Sequence, residues 1–259
     1  MDPGLTIAGS ELEKIAAALA LVSVRFLGLF LALPMFALRG FPMSLRVAPV
    51  LAIAIALWPE VLKTMPEVVP GPLTAMTEFA IGAIFGLSLR VAMLAIDVIA
   101  ESLGIHTGLS FGQTISPDSV LPSTALGEFI GVGLLATLFA MDAHLLFVQA
   151  VADSFRHLPP GAFPTEGLLE AFLHLLSSSF SIGIVVASGS FALYIMVNFV
   201  LGAINRISPQ LNLMTVGFSA NSPLALVILA LLALQMPNLG AAVLQAALDF
   251  LDAGGLRVR

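Results

Sequence analysis

The sequence predicts an all-α chain of integral membrane type, with about six apolar helical segments, and three observations carry that prediction. Of 259 residues, 59% are hydrophobic and only 10% are charged, whereas an ordinary globular domain carries about 25% charged residues. Mean hydropathy is +1.05, so lipid or other apolar protein is the main solvent. The apolar residues also fall in runs near span length, separated by Gly- and Pro-rich breaks. This composition excludes disorder. The absence of cysteine removes disulfides, thiol nucleophiles, Cys-ligated zinc and iron–sulfur clusters. Ten scattered Lys and Arg within a net charge of −6 lack the clustering with which nucleic-acid binders neutralise phosphates, so no nucleic-acid partner is expected.

The chain carries Asp2, Glu11 and Glu13 before its first cation, Lys14. The basic start of a cleavable signal peptide is missing, and an uncleaved, inserted first segment is expected. Residues 15–38 are apolar except for Arg25 and are long enough to span. Residues 49–58 form a shorter run bounded by Pro59, half of what a hydrocarbon core of about 30 Å requires. A third segment, 78–99, contains Arg90 and Asp97, and a fourth, 129–151, contains Asp142 and His144; both are helical by length and by Leu, Ala and Met content. Between them, residues 104–123 hold Gly104, Gly108, Gly112, Pro117, Asp118 and Pro122 and form the main irregular element. Residues 166–207 contain no proline and read as one long helix or a bent pair. Its apolar part would run roughly 54 Å, well beyond a bilayer core of about 30 Å. Residues 207–248 carry no charge, and a last helix is expected to begin near Pro223. The cations divide between alternate loops too evenly to set an orientation.

Glu78, Gly82, Gly86 and Arg90 recur every fourth residue, which predicts one stripe of two charges and a small-residue groove on a helix face. Glycines in such a stripe let another backbone approach closely, and a charge beside them needs a partner across the contact. Gly104, Gly108 and Gly112 repeat the spacing, but Thr107, Ser110 and Ser116-Pro117-Asp118 favour a pliable loop, either at the surface or held inside a larger structure. Asp142 and His144 are two residues apart and lie on different helix faces, while His106, His157 and His174 are isolated. With no H-E-x-x-H, a zinc site lacks its ligands. Ser188-Gly189-Ser190 has no G-x-S-x-G around it and reads as packing. No cofactor and no enzymatic activity are expected. The rival outside any family comparison is a proton-coupled or solute transporter whose route is lined by Arg25, Glu78, Arg90 and Asp97; no nucleotide-binding loop accompanies it.

The run Gly202-Ala203-Ile204-Asn205-Arg206-Ile207-Ser208-Pro209-Gln210-Leu211-Asn212, followed by Val216-Gly217-Phe218, resembles the signature of the FliR family, the flagellar type III export-gate subunit, which is related to an injectisome subunit. Further matches follow in order: Arg25 with Pro34 and Arg46; Glu78 with Gly82 and Gly86; Gly104 with Gly108 and Gly112; Asp142-Ala143-His144; and Ser154 with Leu158-Pro159. The chain departs from the family where it lacks a proline near Ser188–Ser190 and has Ser219-Ala220-Asn221 after Gly217-Phe218.

The resemblance implies one FliR-like domain over 1–259, divided into N-terminal helices (15–99), a Gly-rich plug-like loop (100–125), central long helices (126–207) and the signature with the C-terminal helix (208–259). It implies tilted helical hairpins stacked in a helical hetero-oligomer with FliP-like and FliQ-like subunits, contacted by FlhB-like and FlhA-like export proteins. The assembly would sit in the bacterial inner membrane at the flagellar basal body and pass unfolded flagellar axial proteins, with membrane lipid around it. Helices facing neighbouring subunits need not match lipid thickness, which accounts for the misfit in segment lengths. The implied gate residues are Gly108, Phe111, Gly112 and Ile115. The implied assembly and packing residues are Arg25, Pro34, Arg46, Glu78, Gly82, Gly86, Arg90, Arg206, Pro209, Gln210 and Asn212.

Overall fold

Every regular element is a helix. In the computed structural model, which describes residues 3–34, 43–64, 71–107, 125–164, 167–207 and 213–256, the order is α1 (Pro3–Ala32), α2 (Met43–Thr64), α3 (Pro72–Ala92), α4 (Leu94–Thr107), α5 (Ala125–Ala140), α6 (Ala143–His157), α7 (Leu168–Ile207) and α8 (Leu213–Ala253). No strand occurs among the described residues. Among the described residues four stretches are long and apolar enough to cross a membrane: Leu12–Ala32, Pro72–Ala100, Leu168–Ile204 and Pro223–Ala253. The pair α5 and α6 makes a fifth if it is counted as one broken span.

Several boundaries differ from the sequence expectation. The short second run is part of a 22-residue helix that continues through both Pro49 and Pro59. The expected single helix over 129–151 is broken at Asp142, whose φ of 56° is left-handed and whose side chain caps nothing. An Asp tolerates that conformation better than most residues, and its acidity gave no sequence warning of a break. The last helix begins at Leu213 and carries Pro223 in its interior. A proline in an apolar helix loses one hydrogen bond, and neighbouring groups can satisfy the freed carbonyl. Helix α4 runs to Thr107 and takes Gly104 into its last turn.

The far end of α8 shows how composition stops a helix. Gly255 is left-handed at φ 67°. The Leu256 amide donates to Leu251 O at 3.0 Å and the Gly255 amide donates to Asp252 O at 3.3 Å. This Schellman pattern satisfies carbonyls that the helix leaves open. Leu256 is fully buried behind the turn.

The chain divides into two compact units. The first comprises 1–91, 142–175 and 245–259, with a core of Val22, Phe26, Leu29, Phe85, Leu89, Phe147 and Phe155. The second comprises 92–141 and 176–244 and is centred on Ile99, Ile130, Leu134, Leu138 and Val243. Glycines set close approaches in the second unit. A Cβ on Gly183 would stand 2.8 Å from Ala95 O, and one on Gly240 would stand 3.0 Å from Thr137 Cγ2. The most apolar window of α7 is only 11% buried, with Phe180, Ile184, Val185, Met196 and Phe199 facing outward.

Candidate functional site

The first unit is organised around one ion pair. Arg25, in the last third of α1, and Glu78, near the start of α3, are both fully buried. An isolated charge in such surroundings is costly and persists only when its hydrogen-bonding capacity is met. Here it is met from four elements. Arg25 Nε donates to Glu78 Oε2 at 2.7 Å. Nη1 donates to the Ser154 hydroxyl on α6 at 2.9 Å, and Nη2 donates to Leu158 O at the start of the α6–α7 connector at 3.2 Å. The Gly161 amide, further along that connector, donates to Glu78 Oε1 at 3.1 Å. The Ser154 hydroxyl in turn donates a hydrogen bond to Val151 O at 2.6 Å. The guanidinium carbon lies 3.9 Å from the centre of the Phe155 ring, a cation–π contact between buried side chains. Gly161 supplies the bend that aims its amide inward, with φ 88°.

Backbone contact between α1 and α3 brings these charges together. A Cβ on Gly82 would overlap the Arg25 carbonyl, and one on Gly28 would overlap Phe79 O. A Cβ on Gly86 would lie 2.6 Å from Ala32 Cβ and 2.7 Å from Leu29 O. Only glycine permits this approach over two turns. At the exposed rim between α2 and α6, Glu60 accepts from Lys63 at 3.0 Å and lies 3.9 Å from Arg156. The hydrogen bond and charge of Lys63 hold Glu60 below the usual carboxylate range.

The four-residue stripe therefore splits. Glu78, Gly82 and Gly86 face α1, whereas Arg90 is exposed. Each four-residue step overshoots a helical turn by about 40°, so three steps turn Arg90 roughly 120° from Glu78 and about 40° beyond Gly86, past the edge of the packed face. Pro34 is half-buried just past α1, and Arg206 is exposed at the end of α7. Gly108, Phe111, Gly112, Ile115, Pro209, Gln210 and Asn212 lie outside the described residues, as does the side chain of Arg46. Arg25 and Glu78 satisfy one another instead of lining a route with Arg90. Sequence reading did not single out Gly28 or Phe155. Gly28 was detectable as the one glycine a turn from Arg25 inside an apolar run, but nothing marked Phe155 among 18 phenylalanines. Among the described residues no group of three or more His, Asp or Glu is placed to hold a metal ion.

The profile of the bacterial export proteins, family 1, matches residues 16–247. A flagellar biosynthetic protein FliR from Pectobacterium carotovorum is 29% identical over 219 residues, covering 83% of each chain. One of the same name from Caulobacter vibrioides is 28% identical over 227 residues, covering 85% of this chain and 88% of the relative. That of Escherichia coli is 30% identical over 167 residues, 63% of this chain and 62% of the relative.

Proposed function

The chain belongs to the bacterial export proteins, family 1, and from that membership we propose that it is a structural channel and gate subunit of the flagellar type III export apparatus. It acts in the bacterial inner membrane at the flagellar basal body and passes unfolded axial proteins. The observation that carries the reading is the family match over nearly the whole chain, together with relatives that bear the flagellar name. The apolar exterior supports it. Helix α7 is longer than a bilayer core by a wide margin and buries little of its surface within the chain, a condition resolved by neighbouring protein more readily than by lipid. FliP-like and FliQ-like subunits supply those neighbours, with FlhB-like and FlhA-like proteins at the entrance. Co-expression with candidate FliP and FliQ partners, followed by mass measurement of the intact complex, tests the reading. A monodisperse lone chain that transports a small solute would overturn it.

The gate is the segment 108–119, with Gly108 and Gly112 as hinges and Phe111 and Ile115 as apolar stoppers. A glycine-hinged apolar loop closes a narrow hole against ions and moves aside for an unfolded chain without breaking a rigid element. Deleting 108–119 should make resting cells leak ions while the complex still assembles, as read by membrane conductance and complex yield. Unchanged conductance dismisses the plug.

Arg206, Pro209, Gln210 and Asn212 act in assembly. Arg206 stands exposed in the last turn of α7, where a cation is favoured by the helix dipole and can reach acceptors on a neighbour. Arg206→Ala should lower recovery of the purified hetero-complex more than it lowers membrane insertion; equal recovery from mutant and parent contradicts the assignment.

A further inference from the structure

Arg90 is the feature of the first unit that the clasp leaves unexplained. It lies inside the apolar stretch Pro72–Ala100, ten residues short of its far end. Its side chain is exposed, and among the described residues it makes no ion pair or hydrogen bond. Arg25, the other arginine within a spanning stretch of this unit, has four partners in Glu78, Ser154, Leu158 O and the Phe155 ring. Ionisable groups at such depth pair with something.

The helix that bears Arg90 also forms one wall of an open apolar groove of about 490 Å³ in the same unit. Its walls include Leu87 and Val91 of α3, which flank Arg90 in sequence, Phe163 of the connector, Leu169 and Phe172 of α7, and Phe250 of α8. The one hydroxyl in the wall, Ser88, bonds back to Phe85 O at 2.7 Å and offers nothing to a polar ligand. Leu87, Leu169 and Phe172 remain substantially exposed. Outward on α3, Leu73 and Met76 continue the line of Leu87 and Arg90 at helical spacing, all exposed.

We propose that this groove and Arg90 together receive an apolar helix of a neighbouring export-gate subunit carrying one carboxylate at the level of Arg90. The proposal rests on the export reading above. Charge complementarity selects the occupant. Apolar residues continue past Arg90 to the end of α3 and on into α4, from Val91 to Ile96, so the guanidinium has apolar sequence on both sides. A neighbouring helix can place a carboxylate at that depth, whereas a lipid phosphate belongs to the headgroup layer and would have to be drawn inward. The groove takes the neighbour's apolar side chains, and Arg90 fixes its register.

The experiment uses the full chain co-expressed with its candidate partner subunits. A photo-cross-linking side chain replaces Leu87, in otherwise parental, R90K and R90E backgrounds. The expected result is one protein adduct in the parent, its loss together with an about tenfold fall in complex recovery in R90E, and near-parental behaviour in R90K. Amounts of the inserted chain itself should be equal in all three, because Arg90 bonds nothing among the described residues. Lysine placed at the carboxylate of the cross-linked helix should restore R90E. Adducts with lipid alone, or undiminished complex containing R90E, overturn the proposal and leave the export reading intact. A parent chain that recruits none of the partner subunits overturns both.

Discussion

Glu78→Ala is expected to destabilise the first unit by about 3–5 kcal/mol, because it strands the fully buried Arg25 without its counter-charge. The Gly161 amide loses its acceptor in the same step, so the α6–α7 connector should loosen as well. Limited proteolysis between Leu158 and Pro164, alongside unfolding in detergent, reads both effects. The pair R25M/E78M separates charge from packing. Replacing both partners by apolar side chains of similar length removes the desolvation penalty along with the attraction and should recover most of the lost stability. The recovery will be incomplete, since the Ser154 hydroxyl keeps its bond to Val151 O but Leu158 O and the Gly161 amide are left open. A double variant as unstable as the single would show that side-chain shape, not charge, is what the site requires.

Gly82→Ala should be nearly as severe from a single methyl group. The added carbon would overlap the Arg25 carbonyl, and a backbone atom cannot swing aside as a flexible side chain would. The helices must separate, which lengthens the 2.7 Å ion pair beside them. A loss of about 3 kcal/mol, the upper part of the range for overpacked cores, is expected. Gly189→Ala supplies the contrast. Among the described residues no atom beyond its own stretch of helix lies within 4 Å of the place its Cβ would occupy, so helix propensity alone operates and stability should hold or rise by up to about 1 kcal/mol. Thermal unfolding of the two variants in the same detergent makes the comparison; equal behaviour would mean that α1 and α3 are not in backbone contact.

The sequence made much of this legible. Apolar run lengths located α1, α3, α7 and α8 as membrane-capable, and the Glu78-Gly82-Gly86 spacing marked the packed face of α3. What it hid follows from physics that periodicity does not encode. The break at Asp142 depends on one left-handed residue inside an apolar run. Pro223 and Pro59 read as helix ends because proline lacks an amide, yet both sit within helices whose carbonyls find other solutions. The clasp joins positions 53 and 129 residues apart, and no local pattern announces a meeting across such distances. Arg90 looked like a member of the stripe because a step of four is close to a turn without equalling one.

The same separations set a timetable for synthesis. Arg25 emerges from the ribosome 53 residues ahead of Glu78 and 129 ahead of Ser154. At about 5–20 residues per second, the first helix spends roughly 3–10 s before its carboxylate is even polymerised, and longer before the serine arrives. During those seconds the guanidinium must keep company with water or with the insertion machinery, so α1 cannot settle at its final depth until α3 has been made.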